Sequence, residues 1–161
     1  VETIKSLVGE REVLQVDSGE DNKVIEVESE EEAYQKIKDE LEIKAVQIIK
    51  LPSNARFLKA IVEKELKVAE LYYQYQGENI VYIVNGDQAK NSIGIGVEDR
   101  IITTYTLFVK DIPVEIRECE ISTTKKKRYY ASFTYEDTKY FLIGSMKKEE
   151  FEEILNNLLF Y

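Results

Sequence analysis

The commonest proton-transfer group is missing from this sequence: none of its 161 residues is a histidine. Without imidazole there is no Ser–His or Cys–His dyad, and most transition-metal sites are closed as well. The single cysteine, Cys119, lies in an alternating stretch and reads as a small packing residue rather than a nucleophile. One thiol forms no internal disulfide and leaves the redox compartment open. Carboxylates are plentiful, with 31 Asp and Glu, and a suitably spaced pair can hydrolyse a glycosidic bond. Here they fall on helix surfaces and turns, where solvated surface charge accounts for them. The expectation is a non-enzyme with no catalytic residues, no metal and no cofactor.

Three local clusters invite a chemical reading. Asp17-Ser18-Gly19-Glu20-Asp21-Asn22 is rich in oxygen ligands, but it lacks the alternating spacing and closing Glu of a calcium loop, so a turn is expected. Gly94-Ile95-Gly96 has neither the third glycine nor the following helix of a dinucleotide fingerprint. It reads as a strand with small residues facing a close neighbour. Lys125, Lys126, Lys127 and Arg128 are the one concentrated basic run. They are the candidate partner-binding residues, able to grip an acidic partner or a lipid head group. The plainer reading is a solvated loop or strand end that blunts a sheet edge.

Aromatic residues carry a further signal. There are eleven Tyr, six Phe and no Trp. Tyr72, Tyr73, Tyr75, Tyr82, Tyr105, Tyr129, Tyr130, Tyr135 and Tyr140 all fall in expected strands. The adjacent pairs Tyr72/Tyr73 and Tyr129/Tyr130 must point to opposite faces. Either both faces are covered by packed elements, with tyrosines at the rim of a two-sided core, or one face is a binding surface.

Charge narrows the partner classes. The net charge is −9, and residues 1–44 alone hold a net −8. An acidic chain repels phosphate backbones and anionic head groups, so nucleic acid is not expected as a partner. No signal peptide or transmembrane run is present. The chain begins at Val1, which fits a trimmed methionine or the loss of an N-terminal anchor.

The elements that must hold these groups follow from the pattern along the chain. Glu12–Val16 and Lys23–Val27 form a short acidic hairpin or extension. Ser29 and Glu32 have capping-box spacing, and Ala33, Tyr34, Ile37 and Leu41 follow at helical intervals, predicting a helix over Glu30–Glu42. Ala45–Leu51 reads as a strand ended by Pro52. Strands follow at Phe57–Leu66 (its second half compatible with helix), Val68–Gln76 and Ile80–Val84, then at Ser92–Val97, Ile101–Val109 and Ile112–Ile121. A last hairpin pairs Tyr129–Tyr135 with Lys139–Ile143. Phe151, Ile154, Leu155, Leu158 and Leu159 form a wide apolar stripe, predicting an amphipathic helix over Lys147–Leu159. Short turns between strands require antiparallel pairing. The expected fold is a single α+β domain, an antiparallel meander with the C-terminal amphipathic helix and one N-terminal helix packed on it.

The order of features from Glu31 to Tyr161 resembles a bacterial domain-of-unknown-function (DUF) family, number 4367. The likeness rests on the helix Ala33–Leu41, the strand and proline turn Ile48-Ile49-Lys50-Leu51-Pro52, and the strand Ala69-Glu70-Leu71-Tyr72-Tyr73. It continues through Tyr140-Phe141-Leu142-Ile143-Gly144 and the closing Lys148-Glu149-Glu150-Phe151-Glu152-Glu153-Ile154-Leu155. The resemblance implies an exported domain behind a single membrane span, some of its relatives looking like the outer parts of anti-sigma-factor regulators. It transfers no catalytic residue. The functional expectation is a non-catalytic extracytoplasmic module at the cell surface that senses or docks a protein or cell-envelope component. The alternative is a carrier or sensor of an apolar small molecule, held in a cavity of a curved sheet.

Overall fold

The computed structural model describes residues 24–87 and 99–161. The expected strands Glu12–Val16 and Ser92–Val97, the Asp17–Asn22 turn and Gly94-Ile95-Gly96 lie outside the described residues. The rest forms two helices and one eight-stranded antiparallel sheet.

In chain order the strands are β1 (Val24–Val27), β2 (Arg56–Glu63), β3 (Val68–Tyr75), β4 (Glu78–Asn85), β5 (Asp99–Val109), β6 (Ile112–Ile121), β7 (Lys127–Tyr135) and β8 (Thr138–Gly144). Helix α1 (Glu30–Lys36) precedes β2, and α2 (Lys148–Asn156) follows β8. The sheet order is β1-β2-β3-β4-β8-β7-β6-β5. The expected continuous meander is therefore two meanders laid side by side. β4 pairs with β8, from Val81↔Ile143 to Asn85↔Lys139, so β4 and β5, consecutive in the chain, lie at the centre and at the far edge of the sheet.

Local chemistry explains the hairpins. Gln76/Gly77, Lys110/Asp111 and Glu136/Asp137 are two-residue turns in which both residues have positive φ. Two left-handed residues in succession twist the chain in the sense that antiparallel strands require. The β6–β7 turn is longer, with Lys125 at φ 62°.

Helix α1 starts where its capping residue predicts: Ser29 Oγ accepts from Glu32 N at 3.3 Å. It continues as π-turns through Ile37–Leu41 and stops at Glu42, whose φ is 58°. Ala33, Ile37 and Leu41 are buried in the same cluster as Phe151, Ile154, Leu155 and Leu158. Both helical stretches thus contribute to one core, on the sheet face carrying Leu71, Tyr73, Tyr82, Tyr140 and Leu142. The opposite face has its own cluster, Ile61, Val68, Tyr72, Val81, Ile83, Cys119, Tyr130 and Ile143. Tyr72 and Tyr73 divide between the two clusters, as the alternation along a strand demands.

Two elements differ from expectation. Ala45–Leu51 is not a sheet strand; it makes one isolated bridge, Gln47↔Leu159. This segment lies over the core face, so side chains rather than a neighbouring strand meet its backbone. Val46 N donates to Tyr140 Oη at 3.2 Å, Ile48 N to Tyr34 Oη at 3.0 Å, and Tyr82 Oη to Val46 O at 2.7 Å. The second difference is at the C-terminus, where α2 ends at Asn156 rather than Leu159. The chain straightens there because Leu159 takes its backbone bonds from Gln47, while Leu158 stays buried.

Candidate functional site

The β3–β4 turn, the start of β7 and the link from β8 to α2 meet at one end of the sheet. They enclose a groove of about 400 Å³ lined by Tyr75, Gln76, Glu78, Lys126, Lys127, Tyr129, Ser145, Met146, Lys147 and Glu150.

Each wall is fixed by a local bond. Lys125 N donates to Ile121 O at 2.7 Å and Ile121 N to Lys126 O at 2.8 Å, closing the β6–β7 turn. Ser145 Oγ donates to Lys127 O at 2.6 Å, tying the β8–α2 link to β7. Glu150 Oε1 accepts from Lys147 N at 3.1 Å, capping the first turn of α2. The other oxygen of that carboxylate accepts from Tyr75 Oη at 2.6 Å. Tyr129 stacks on Phe151 at a centroid distance of 5.3 Å. Met146 lies against Gly144, where a Cβ would stand only 2.8 Å from its Cε.

Two of the three lysines in the lining are in ion pairs. Lys126 Nζ lies 3.0 Å from Glu78 Oε2, and Lys127 Nζ 2.6 Å from Glu118 Oε2. The Glu118 bond raises the Lys127 ammonium above its usual range. The Tyr75 phenol is raised too, first by its bond to Glu150, because ionising it would place a second negative charge beside that carboxylate. Burial raises Tyr129. The groove therefore offers aromatic and thioether side chains beside the paired Lys126 and Lys127, with Lys147 also in its lining.

The four basic residues of the sequence cluster do not act together. Lys126 and Lys127 line the groove, and Lys125 occupies the turn. Arg128 points to the other face of the sheet and is buried. Its Nη1 contacts both Asp99 carboxylate oxygens, at 3.0 and 3.1 Å, and Tyr130 Oη donates to the same Asp99. Burial alone would lower the Arg128 pKa, but Asp99 and Tyr130 outweigh it and raise it. The cluster also does not blunt a sheet edge, because β7 lies between β8 and β6.

Cys119 is buried in the second-face cluster. Burial first, then the nearby Asp99 charge, pushes its thiol up to about 11. Among the described residues no group of three or more Cys, Asp or Glu side chains is arranged to hold a metal ion. No helix among them is long and apolar enough to cross a membrane.

Charge clustering does not single out Tyr75, Tyr129, Met146 or Glu150. The signal for them lies in Gly144 and the Lys-Glu-Glu start of α2, which together bring a helix onset down beside two strand tyrosines.

No curated protein and no solved structure matches the chain. A family model does match, over residues 45–158, and its description is "Domain of unknown function (DUF4367)". The matched span includes β2 through α2 and leaves out α1, which the sequence resemblance includes. Covering well over half of the chain, the match places it: this protein belongs to the DUF4367 family.

Proposed function

We propose that this domain is a non-catalytic interaction module of a membrane-anchored protein, working outside the cytoplasm, and that the groove between the β3–β4 turn and α2 receives a segment of a protein partner. The supporting observation is the groove's composition. Tyr75, Tyr129 and Met146 form an apolar floor, and Lys126–Glu78 is an ion pair at its rim. Buried aromatic anchors inside a polar rim are how protein interfaces concentrate affinity. A floor that presents thioether and aromatic carbon binds side chains without chemistry. The extracytoplasmic placement rests on what the sequence resemblance to this family implies.

Two measurements test this reading in the full-length protein in its native cell. A photo-crosslinking residue in place of Met146 is expected to give one discrete adduct, and the same residue at Thr134 none. Equal labelling from both positions, or none from Met146, overturns the groove. A reporter active only outside the cytoplasm, fused after Tyr161, is expected to be active; silence with full expression overturns the location.

A further inference from the structure

The charged side chains that line the groove are Glu78, Lys126, Lys127, Lys147 and Glu150, and four of these five are held within the chain. Lys126 Nζ lies 3.0 Å from Glu78 Oε2, and Lys127 Nζ lies 2.6 Å from Glu118 Oε2. Both oxygens of Glu150 are in use, one by Tyr75 Oη at 2.6 Å and the other by Lys147 N at 3.1 Å. The Lys147 ammonium has no hydrogen bond or ion pair among the described residues, and the residue is exposed. A segment entering the groove therefore meets one uncompensated positive charge.

The wider field points the same way. The chain carries a net charge of −9, and that net field repels an acidic segment. The end of the sheet at the groove is a local exception. There Lys125, Lys126, Lys127 and Lys147 leave an excess of positive charge over Glu78, Glu118 and Glu150. Lys147 also follows Met146 directly, and Met146 belongs with Tyr75 and Tyr129 to the apolar part of the lining. A matching segment places its negative charge beside an apolar side chain.

The kind of anion is narrowed by what the groove lacks. Phosphate recognition draws on clustered arginines, and no arginine lines the groove; Arg128 is buried against Asp99. A chain's terminal carboxylate is captured by a nest of free backbone N–H groups, and here Glu150 already takes the N–H of Lys147. One ammonium on a flexible stem suits one side-chain carboxylate. We propose that the segment received by the groove carries an Asp or Glu beside an apolar residue, its carboxylate pairing with Lys147 while the apolar side chain rests on Met146 and Tyr129. This partner chemistry rests on the groove being the docking site, as proposed above.

The photo-crosslinking residue at Met146, in the full-length protein in its native cell, supplies the readout. Lys147→Glu is expected to lower the adduct about tenfold or more, because like charges then face each other. Its unfolding midpoint is expected to stay unchanged, since position 147 is exposed. Lys147→Arg is expected to keep the adduct, and so is Lys38→Glu, the same change of net charge placed on α1. Sequencing the trapped segment is expected to show Asp or Glu next to an apolar residue, and replacing that acid by Lys is expected to restore the adduct in Lys147→Glu. An adduct indifferent to Lys147→Glu, or lost equally in Lys38→Glu, overturns the acidic partner and leaves the groove standing. A trapped segment without Asp or Glu, or one held through a terminal carboxylate or a phosphate, does the same. No adduct from Met146 with Lys147 intact overturns the groove itself, and this partner with it.

Discussion

Tyr82 and Val46, 36 positions apart, share a buried hydrogen bond of 2.7 Å in which the phenol donates to the peptide carbonyl. Tyr140, stacked on Tyr82 at a centroid distance of 5.9 Å, receives the N–H of the same Val46. Two neighbouring strands thus hold both backbone groups of one residue in a segment that has no sheet partner of its own. Tyr82→Phe leaves the Val46 carbonyl buried without its donor, and Tyr140→Phe does the same for the N–H. Each substitution is expected to lower the unfolding free energy by about 1–3 kcal/mol, measured by urea denaturation with an unchanged slope.

The Asp99–Arg128 pair connects β5 to β7 across the second face, with both side chains nearly or fully buried. Removing one partner strands a charge in the interior. Asp99→Leu and Arg128→Met are each expected to cost about 3–5 kcal/mol, whereas the double replacement Asp99→Leu/Arg128→Met costs less than either single change. A thermodynamic cycle across the three variants checks this, and strict additivity would argue against a buried pair.

Alkaline stability follows from the tyrosines. Tyr34, Tyr73, Tyr82 and Tyr140 are all raised, with burial the first cause in each. A phenol raised on folding holds its proton in the native state at pH values where the unfolded chain has lost it. Its contribution is therefore fully present below the ordinary value of about 10 and falls as pH rises above it. The phenolate absorbance of these four is expected to appear in one cooperative step above about pH 10, together with loss of the circular dichroism signal. Gradual ionisation of these four in a folded chain would contradict the burial.

Cys119 gives a simpler readout. Its thiol is raised to about 11, so little thiolate exists near neutral pH. Reaction with a disulfide reagent is expected to be slow in the native protein and to accelerate on adding denaturant.

Two glycines separate a backbone constraint from a side-chain one. A Cβ at Gly86 would stand 2.6 Å from Ile43 Cδ1 and 3.1 Å from Lys67 O, and the Gly86 N–H already bonds that carbonyl at 2.7 Å. At Gly144 the close atom is Met146 Cε, the free end of a flexible chain. Gly86→Ala is expected to destabilise by about 1–3 kcal/mol, and Gly144→Ala by less. Thermal unfolding of the two variants distinguishes them.

Much of this architecture is written in periodicity. Alternation places Tyr73 and Tyr75 on one face and Glu70 and Tyr72 on the other, and the Ser29 cap marks the start of α1. The order of the strands is not legible, because β4 and β8 are joined by pairing between residues such as Tyr82 and Leu142 that carry no mutual signal in the chain. Ala45–Leu51 reads as a strand because it is a short apolar run with β-branched residues ended by Pro52, yet side-chain groups that satisfy its backbone come from Tyr34, Tyr82 and Tyr140. The groove is half visible. Lys126 and Lys127 stand out as charge, but the opposite course of Arg128 depends on Asp99 29 residues away, and Met146 on the missing side chain of Gly144.

The seam between β4 and β8 also sets the timing of assembly on the ribosome. β4 is synthesised well before its second neighbour, Thr138–Gly144, with three other strands made in between. Until that segment emerges, one flank of a central, apolar strand has no partner, and a nascent chain is open to wrong pairing with other chains. Emergence of β8 and α2 then completes the middle of the sheet and delivers α2 to its core together, so the domain closes from its centre only after these two elements have been made.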